Sequence, residues 1–218
     1  MGGLGGAVRV LDIGCGTGGL WSANRDRIGH EWTLTLADSS EGMVDASRGA
    51  LGDRAGYVVA DIRDLPFADR SFDVVVANHM LYHVRDRPRA FAEVKRVLAP
   101  GGTFHCSTNG RGHLAELAAL VPDGTPIASH IEEFCLETGP PQLESFFVGV
   151  RVARFDNSLR VPAVEPVLAY LRSSEKYSAT VDLAPTRKTV EVEIETTGAF
   201  VIQTRPGVIS CRTASLDV

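Results

Sequence analysis

The sequence has no excess of basic residues. Among its 218 residues, 22 are Lys or Arg and 27 are Asp or Glu, for a formal net charge of -5 at pH 7. A nucleic-acid-binding protein normally carries a basic patch or a high isoelectric point. The composition therefore argues against a nucleic-acid partner and favours a small-molecule one. Lysine is rare beside arginine, a bias typical of GC-rich bacterial genomes.

Cysteine is scarce, and its spacing does not match the usual cysteine-based sites. No C-x-x-C pair occurs and no cysteine has a ligand-like spacing to a histidine, so neither a zinc site nor a disulfide framework is predicted. We interpret the cysteines as reduced thiols of a cytoplasmic protein and expect no metal. They are Cys15, Cys106, Cys135 and Cys211.

The sequence also lacks long apolar runs. None is long enough to span a bilayer, and the first residues, MGGLGGAV, lack the basic start and apolar core of a signal peptide. We therefore expect a cytoplasmic protein with no membrane partner. At this length one α/β domain can bury a sizeable core. The sequence leaves the oligomeric state open.

The first half of the sequence alternates short apolar strands with helical segments. This spacing predicts an α/β fold, a Rossmann-like, mostly parallel sheet with helices on both faces and a ligand crevice at the carboxyl ends of the strands. The predicted strands are residues 8–13, 32–37, 57–60, 72–77 and 103–107, and the predicted helices run to about residue 28 and over 42–51 and 88–98.

The second half is less regular. A helix is predicted near 113–121, a strand over 148–155 and a helix around 164–172. Residues 189–195 are ambiguous, because valine and isoleucine alternate as in a strand while the run is charged and could be helical. Two strand-like runs, 200–204 and 208–212, flank Pro206-Gly207, the pair that a type II turn prefers, and predict a terminal hairpin.

The stretch VLDIGCGTGGLW follows the first predicted strand and supports two interpretations. Gly14, Gly16 and Gly19 fit the G-x-G-x-x-G of a dinucleotide-binding turn, and Asp38 follows at the distance of a ribose-binding acid, which indicates NAD. Gly14, Gly16 and Gly18 also fit G-x-G-x-G. The glycines alone do not choose between a dinucleotide and a nucleoside ligand.

Acidic side chains around this loop favour a cationic ligand. Asp12 lies two residues before the first glycine and would repel a pyrophosphate, whereas S-adenosylmethionine carries a sulfonium and an ammonium group. At ~6 Å, a unit charge pair is worth roughly 3 kcal/mol at an effective dielectric near 20. Asp38 can accept both ribose hydroxyls of either ligand, and Asp61-Ile62 offers an acceptor for an adenine amine that a dinucleotide fold does not need.

Five motifs then occur in an order found in one family. The sequence resembles a class I S-adenosylmethionine-dependent methyltransferase and is most similar to the small-molecule branch called methyltransferase type 11. The resemblance covers residues 8–107 and implies strand order 3-2-1-4-5-7-6 with the seventh strand antiparallel. The motifs are VLDIGCGTG, Asp38-Ser39 with Met43, ADIRDLPFADRSFDVV, ANHMLYHV and RVLAPGG.

The resemblance implies S-adenosylmethionine as the cofactor and a set of residues around it. The loop after the first strand would face the methionine part, Asp38 the ribose, and Asp61 with its neighbour the adenine edge. The implied cofactor-binding residues are Asp12, Gly14, Cys15, Gly16, Thr17, Gly18, Asp38, Ser39, Met43, Asp61, Ile62 and Asn78.

We expect a single methyltransferase domain over 1–218. Its parts are a cofactor-binding core at 8–108, an acceptor-site region at 109–198 and the terminal hairpin at 199–218. The family usually has a helix before the first strand that closes over the cofactor, whereas only MGGLGGA precedes Val8. The expectation is therefore a short chain start or a lid from another segment.

Candidate catalytic residues follow the fourth strand. Methyl transfer requires alignment and exclusion of water, and a base helps when the acceptor is a hydroxyl or an acidic carbon. His79, Tyr82 and His83 would share one face of a helical turn, with His79 as the first candidate for the base. Tyr82 and His83 could instead pack or anchor the loop. A metal pair is disfavoured because no third ligand accompanies the two histidines.

Asn109 and His113 follow the fifth strand and could contact an acceptor, although Asn-Gly is equally a plain turn. The sequence therefore predicts methyl transfer from S-adenosylmethionine to a small molecule, in a setting such as bacterial specialised metabolism, with residues 110–198 shaping acceptor choice. Two alternatives stay open. One is a methyltransferase-like protein that binds the cofactor without turnover, and the other is an NAD-dependent oxidoreductase, which Asp12 and Asp61 disfavour.

Overall fold

A computed structural model describes residues 7–120, 132–173 and 183–215. The last residue of the helix predicted near 113–121 and the first six residues of the chain lie outside this described part. The strands are β1 (Val8–Ile13), β2 (Trp32–Asp38), β3 (Gly56–Val59), β4 (Phe72–Asn78), β5 (Leu98–Asn109), β6 (Val148–Arg154), β7 (Asn157–Val161), β8 (Phe200–Thr204) and β9 (Pro206–Arg212).

The described residues form seven α-helices. They are α1 (Gly19–Ala23), α2 (Glu41–Leu51), α3 (Arg87–Val97), α4 (Ala115–Ala119), α5 (Gly139–Glu144), α6 (Val164–Ser173) and α7 (Leu183–Thr197). The side chains of Ser40 and Asp86 accept backbone N–H groups in the first turns of α2 and α3, as their capping role requires. Short 3-10 turns cover Arg25–Arg27, Gly52–Arg54 and Leu81–His83.

The central sheet has the order β3-β2-β1-β4-β5-β9-β6. Strands β1 to β5 are parallel, and β9 runs antiparallel between β5 and β6. Strands β7 and β8 form a separate sheet, so β6 and β9 are the sixth and seventh strands of the central sheet in chain order. The arrangement is therefore the expected order 3-2-1-4-5-7-6. The prediction of a Rossmann-like fold is confirmed.

The predicted hairpin between residues 200–204 and 208–212 is not formed. Strand β8 pairs with β7 in a separate two-stranded sheet, whereas β9 pairs with β5 and β6. Gly207 lies inside β9, and a Cβ there would be 2.7 Å from both the carbonyl oxygen of Ala153 and Cδ1 of Leu136. This glycine therefore permits close packing within the sheet and does not form a type II turn.

One ambiguity is resolved and one prediction is corrected. Residues 189–195, which the sequence leaves open between strand and helix, lie in α7, because Val190 and Ile194 recur at helical spacing and pack with the apolar residues of β8. The first helix is shorter than predicted and ends at Ala23, where a 3-10 turn follows.

Each face of the central sheet packs against a different set of helices. One face is covered by α3 and the segment that leads into β6, and the opposite face by α1 and α2. A smaller cluster joins α4, α6, α7 and β8. The carboxyl ends of β1 to β5 therefore lie at one edge. No helix in the described ranges is long and apolar enough to cross a membrane.

Candidate cofactor and acceptor site

A cavity of about 460 Å³ lies at the carboxyl edge of the parallel strands. It is formed where β1, β2 and β3 end and where the chain leaves β4. The predicted site residues that line it are Gly14, Asp38, Ser39, Asp61, Ile62 and His83. The lining residues that were not predicted are Ile13, Ala60, Arg63, Met80, Val84 and Arg85.

The other predicted residues lie around the cavity without lining it. Asp12 is buried behind the loop, Asn78 pairs with Ser107 at the end of β4, and Met43 is exposed on α2. The remaining ones are Cys15, Gly16, Thr17, Gly18, His79 and Tyr82. Sequence spacing places the apolar strand ends correctly. It gives no signal for Met80 or Arg63, whose side chains enter the cavity from turns.

The glycine loop turns sharply, as its sequence predicts. Gly14, Gly16 and Gly18 have φ of 75°, 55° and 75°, a region that other residues rarely adopt. A Cβ at Gly14 would lie 2.7 Å from Cγ of Met80. Met80 therefore packs directly on the loop, and the absence of a side chain at Gly14 allows this contact.

Most N–H groups of the loop are already used inside the protein. Gly14 and Cys15 both donate to the carbonyl oxygen of Ala37, at 2.8 and 3.0 Å, and Gly18 donates to Cys15 at 3.0 Å. The N–H of Gly16 donates to Oδ2 of Asp38 at 3.0 Å. A dinucleotide turn needs free N–H groups directed at pyrophosphate. In this loop the N–H of Gly16 instead binds the carboxylate of Asp38.

Asp38 has two contacts within the protein in addition to its predicted role in binding ribose. Its Oδ1 accepts the N–H of Ser40 at 3.0 Å, while Oδ2 holds Gly16. Each carboxylate oxygen has a further lone pair for a ribose hydroxyl. Asp38 lines the cavity, so it can bind a ligand and fix the loop at once.

Asp12 is buried, with its side chain under Trp21. Oδ2 accepts the indole N–H of Trp21 at 2.7 Å, and Oδ1 has no hydrogen-bond partner among the described residues. Burial raises the pKa of Asp12 to about 6, with a smaller contribution from the charge of Asp38, while the Trp21 hydrogen bond opposes the rise. Sequence spacing does not predict this contact between Trp21 and Asp12.

Cys15, between two of the loop glycines, is not a nucleophile. Burial raises the pKa of its thiol to about 11, and the nearby charge of Asp12 adds to the rise. The thiol is therefore protonated at neutral pH, and reactive cysteines are thiolates. Cys15 packs beside the apolar residues under α1 and α2.

Asp61, the predicted adenine acceptor, forms an ion pair with Arg63. Oδ2 accepts Nη2 of Arg63 at 2.6 Å, and Oδ1 accepts its backbone N–H at 2.8 Å. These hydrogen bonds lower the pKa of Asp61, which is therefore a carboxylate at neutral pH. Both side chains line the cavity, so an adenine amine would share the carboxylate with Arg63.

His79 does not share a helical face with Tyr82 and His83. It adopts a left-handed conformation with φ of 50°, and the 3-10 turn begins only at Leu81. Its N–H donates to the carbonyl oxygen of Ser107 at 3.0 Å. This bend directs the next residue, Met80, onto the glycine loop. Desolvation by burial lowers the pKa of His79, so its imidazole is neutral at pH 7.

Tyr82 and His83 contact each other edge to face, with ring centroids 4.6 Å apart. Burial raises the pKa of the Tyr82 hydroxyl, so it stays protonated at neutral pH. His83 faces the cavity, whereas Tyr82 packs against the main core. The structure therefore separates the predicted trio into different surroundings.

His113 lies in the turn after β5, at the same edge of the sheet as His79. Its Nδ1 accepts the backbone N–H of Arg205 at 2.9 Å. Burial lowers the pKa of His113, and the charge of His79 lowers it further. His79 donates its N–H to Ser107 of β5, and His113 follows the end of that strand, so both residues lie at the same end of β5.

The residues around the cavity fit S-adenosylmethionine better than a dinucleotide. Asp12, Asp38 and Asp61 place three carboxyl groups in or behind the cavity wall, and the loop N–H groups that would bind a pyrophosphate are engaged. Within the described ranges, no three His, Cys, Asp or Glu side chains are grouped so as to hold a metal ion.

The sheet order and this acid-rich crevice define a class I S-adenosylmethionine-dependent methyltransferase fold. Residues 11–106 match the model of a family described as a methyltransferase domain, methyltransferase type 11. S-adenosylmethionine is the cofactor of this family, in agreement with the sequence prediction.

Curated relatives match about half of this chain. A malonyl-[acyl-carrier protein] O-methyltransferase of Erwinia pyrifoliae is 42% identical over 115 residues, which are 53% of this chain and 42% of that protein. A ubiquinone/menaquinone biosynthesis C-methyltransferase of Idiomarina loihiensis is 40% identical over 100 residues, which are 44% of this chain and 40% of that protein. The chain thus spans about two fifths of these relatives.

One solved structure extends the similarity in fold to nearly all of the chain. A phosphoethanolamine N-methyltransferase 2 of Haemonchus contortus, in complex with S-adenosyl-L-methionine, superposes with a TM-score of 0.59 at 20% identity. The match covers 98% of this chain and 50% of that one. The three proteins are named for methylation at oxygen, carbon and nitrogen. The comparisons therefore leave the acceptor open.

Proposed function

We propose that this protein transfers the methyl group of S-adenosylmethionine to a small-molecule acceptor. The observation that carries the proposal is the internal use of the glycine-loop N–H groups. Gly14, Cys15 and Gly16 donate to Ala37 and Asp38. The loop therefore presents a carboxylate to its ligand, which suits a cationic donor and opposes a phosphate.

The cavity residues have separate roles in holding the donor. Asp38 binds the ribose hydroxyls with its remaining lone pairs, and Asp61 with Ile62 contacts the adenine edge. Ser39 and Met43 surround the adenine, and the loop from Gly14 to Gly18 lies against the methionine part. Asn78 contributes through its backbone.

Asp12 acts on the donor through its charge, because its carboxyl group is buried behind the loop. With a pKa of about 6 it is ionised at neutral pH and attracts a positive ligand across the loop. Trp21 holds one oxygen in place by its indole hydrogen bond. Asp12 thus keeps the electrostatic role that the sequence predicts, and its charge acts on the donor through the loop without direct contact.

The acceptor side requires positioning and a base. Bound S-adenosylmethionine supplies a methyl carbon activated for in-line displacement by its sulfonium. His79 is the proposed base, because its lowered pKa keeps the imidazole neutral and able to take a proton. His83 forms part of the cavity wall, and Tyr82 supports it from the core through the contact between their rings. Residues 110–198 then select the acceptor.

Labelled methyl transfer tests the proposal directly. The chain is incubated with a metabolite extract and deuteromethyl-labelled S-adenosylmethionine, and mass spectrometry follows the appearance of products heavier by one labelled methyl group. Such a product identifies the acceptor. Cofactor binding without any labelled product would favour the alternative of a binding protein without turnover.

Competition binding separates the donor from a dinucleotide. S-adenosylhomocysteine is expected to bind and NADH to leave the binding unchanged, because the loop offers a carboxylate where a pyrophosphate needs N–H groups. Displacement of S-adenosylhomocysteine by NADH at comparable concentration would overturn the methyltransferase assignment of the cavity.

A further inference from the structure

We propose that His113 binds the acceptor through a hydrogen bond donated by Nε2, and that with His79 it selects an acceptor that carries an acidic hydroxyl group. This inference rests on the proposed methyl transfer and adds to it a binding residue and a substrate class.

The hydrogen bond at Nδ1 determines the tautomer of His113. The backbone N–H of Arg205 donates to this nitrogen at 2.9 Å. A neutral imidazole has one N–H and one lone pair, so the proton must lie on Nε2 when the Nδ1 lone pair is used. Within the described residues no hydrogen bond is formed at Nε2. This N–H is therefore available to a ligand.

The backbone around His113 holds the ring in a fixed orientation. Gly110 donates its N–H to the carbonyl oxygen of Arg205 at 2.7 Å, and Leu114 donates to Gln203 at 2.9 Å. The turn is thus tied on both sides of His113 to the end of β8. A donor locked in this way binds without losing side-chain freedom, which favours its use as a specificity residue.

His79 supplies the complementary group. Its left-handed conformation places Met80 on the glycine loop and leaves its own ring outside the cofactor cavity. The pKa of each imidazole is lowered, that of His113 partly by His79. Both rings are therefore neutral when the acceptor arrives. The fixed tautomer makes His113 the donor, so His79 is the ring that accepts the proton.

The charges near His113 favour an oxygen acid over an amine. Arg111 and Arg205 lie in the same turn region and form no ion pair within the part of the chain that the structure describes. The two carboxylates of this region are engaged: Glu137 pairs with Arg154 at 3.0 Å, and Glu116 accepts the backbone N–H of Gln203 at 3.0 Å. Unpaired guanidinium groups stabilise an oxyanion and destabilise an ammonium group.

The proposed step balances without another reactant. The acceptor hydroxyl transfers its proton to His79, and an oxygen lone pair forms the new bond to the methyl carbon. The carbon–sulfur bond breaks and its electron pair stays on sulfur. His113 keeps its Nε2 proton throughout and donates a hydrogen bond to the acceptor oxygen, where negative charge develops. His79 later returns its proton to water.

Nitrogen NMR of the histidine rings tests the tautomer without turnover. The full chain, labelled with ¹⁵N-histidine and saturated with S-adenosylhomocysteine, should show His113 as the Nε2–H tautomer. The signal is assigned by its loss in His113→Asn. A ring protonated at Nδ1, or one that exchanges rapidly between tautomers, would overturn the proposal.

Binding of 4-nitrophenol tests the substrate class, since its absorbance reports ionisation. His113→Asn keeps an oxygen for the Arg205 N–H and loses the Nε2 donor, whereas His113→Gln places an amide N–H near Nε2. With S-adenosylhomocysteine present, the Asn variant should bind 4-nitrophenol about tenfold more weakly and the Gln variant within about threefold of the unchanged chain. His30→Asn, at an exposed position, should have no effect.

The comparison ligand is 4-nitroaniline, which has the same shape with an amine in place of the hydroxyl group. The unchanged chain should prefer 4-nitrophenol. Equal losses in the Asn and Gln variants, no loss in the Asn variant, or no preference for the phenol would each contradict the proposal. These readouts need no methyl transfer, so their failure is distinguishable from failure of the labelled-methyl experiment.

Discussion

Replacing Asp12 by Asn is expected to stabilise the protein and to weaken its hold on the methyl donor. Asp12 is 2% exposed, and in the part of the chain that the structure describes only Trp21 donates a hydrogen bond to its side chain. Its pKa of about 6 in the folded protein lies above the ordinary 3.8. Each pKa unit is worth about 1.4 kcal/mol, so ionised Asp12 costs the fold about 3 kcal/mol at neutral pH.

The pH dependence follows from that difference. Below the ordinary pKa both folded and unfolded chains carry a protonated Asp12, and no cost arises. As the pH rises, the unfolded chain ionises first and stability falls, until the full cost is reached above pH about 6. Asn keeps an oxygen for Trp21 but buries an unsatisfied amide, at a cost of about 1 kcal/mol. The expected net gain is about 1 to 2 kcal/mol at pH ~7 and a small loss at pH ~4.

Urea unfolding of the unliganded chain measures this gain, with Asp26→Asn as a control at an exposed position. Calorimetry then compares two ligands. S-adenosylmethionine carries the sulfonium charge and S-adenosylhomocysteine does not, so Asp12→Asn should weaken the first more, by about tenfold relative to the second. If Asp12→Asn is no more stable than the unchanged chain at neutral pH, the buried charge of Asp12 does not destabilise the fold. The same conclusion follows if the difference in stability is equal at both pH values. Equal effects on both ligands would refute the role of charge.

Three further changes test the site and the sheet. Asp38→Ala should weaken S-adenosylhomocysteine binding by about 2 to 3 kcal/mol in calorimetry, because two charge-assisted hydrogen bonds to ribose are lost. The control Asp45→Ala, on the exposed side of α2, should leave the affinity unchanged. An unchanged affinity in Asp38→Ala would remove Asp38 from the site. His79→Ala should slow labelled methyl transfer and spare cofactor affinity, and parallel losses in both would indicate a structural role. Gly207→Ala should destabilise the fold by roughly 1 to 3 kcal/mol in urea unfolding, because the added Cβ has no space. The control Gly49→Ala, with open space on helix α2, should be neutral or stabilising. Equal stability of the two variants would contradict the close packing of Gly207 in β9.

The first half of the fold could be predicted because its signals are local. Apolar runs such as residues 8–13 and 72–77 end in turns that the chain itself encodes, and capping residues such as Ser40 and Asp86 mark the helices. The preference for S-adenosylmethionine could likewise be predicted from the acidic residues next to the glycine loop. These features require no knowledge of distant contacts.

The cavity was predicted only in part, because side chains reach it from segments far apart in sequence. Gly14, Asp38 and Asp61 stand at strand ends and were found. Met80 reaches the loop because His79 adopts a left-handed conformation, and nothing in the local pattern specifies that bend. The tie between His113 and the backbone of Arg205 spans 92 positions and has no sequence signature.

The sequence by itself determined the layer order of the cofactor half, the turn of the glycine loop and the sign of the charge around it, since periodic burial and turn chemistry act between near neighbours. The tertiary structure decided which strands β9 joins, that Asp12 is buried behind the loop under Trp21, and which imidazole nitrogen of His113 accepts the N–H of Arg205. These outcomes depend on competition between distant segments for the same partners, and packing alone resolves that competition.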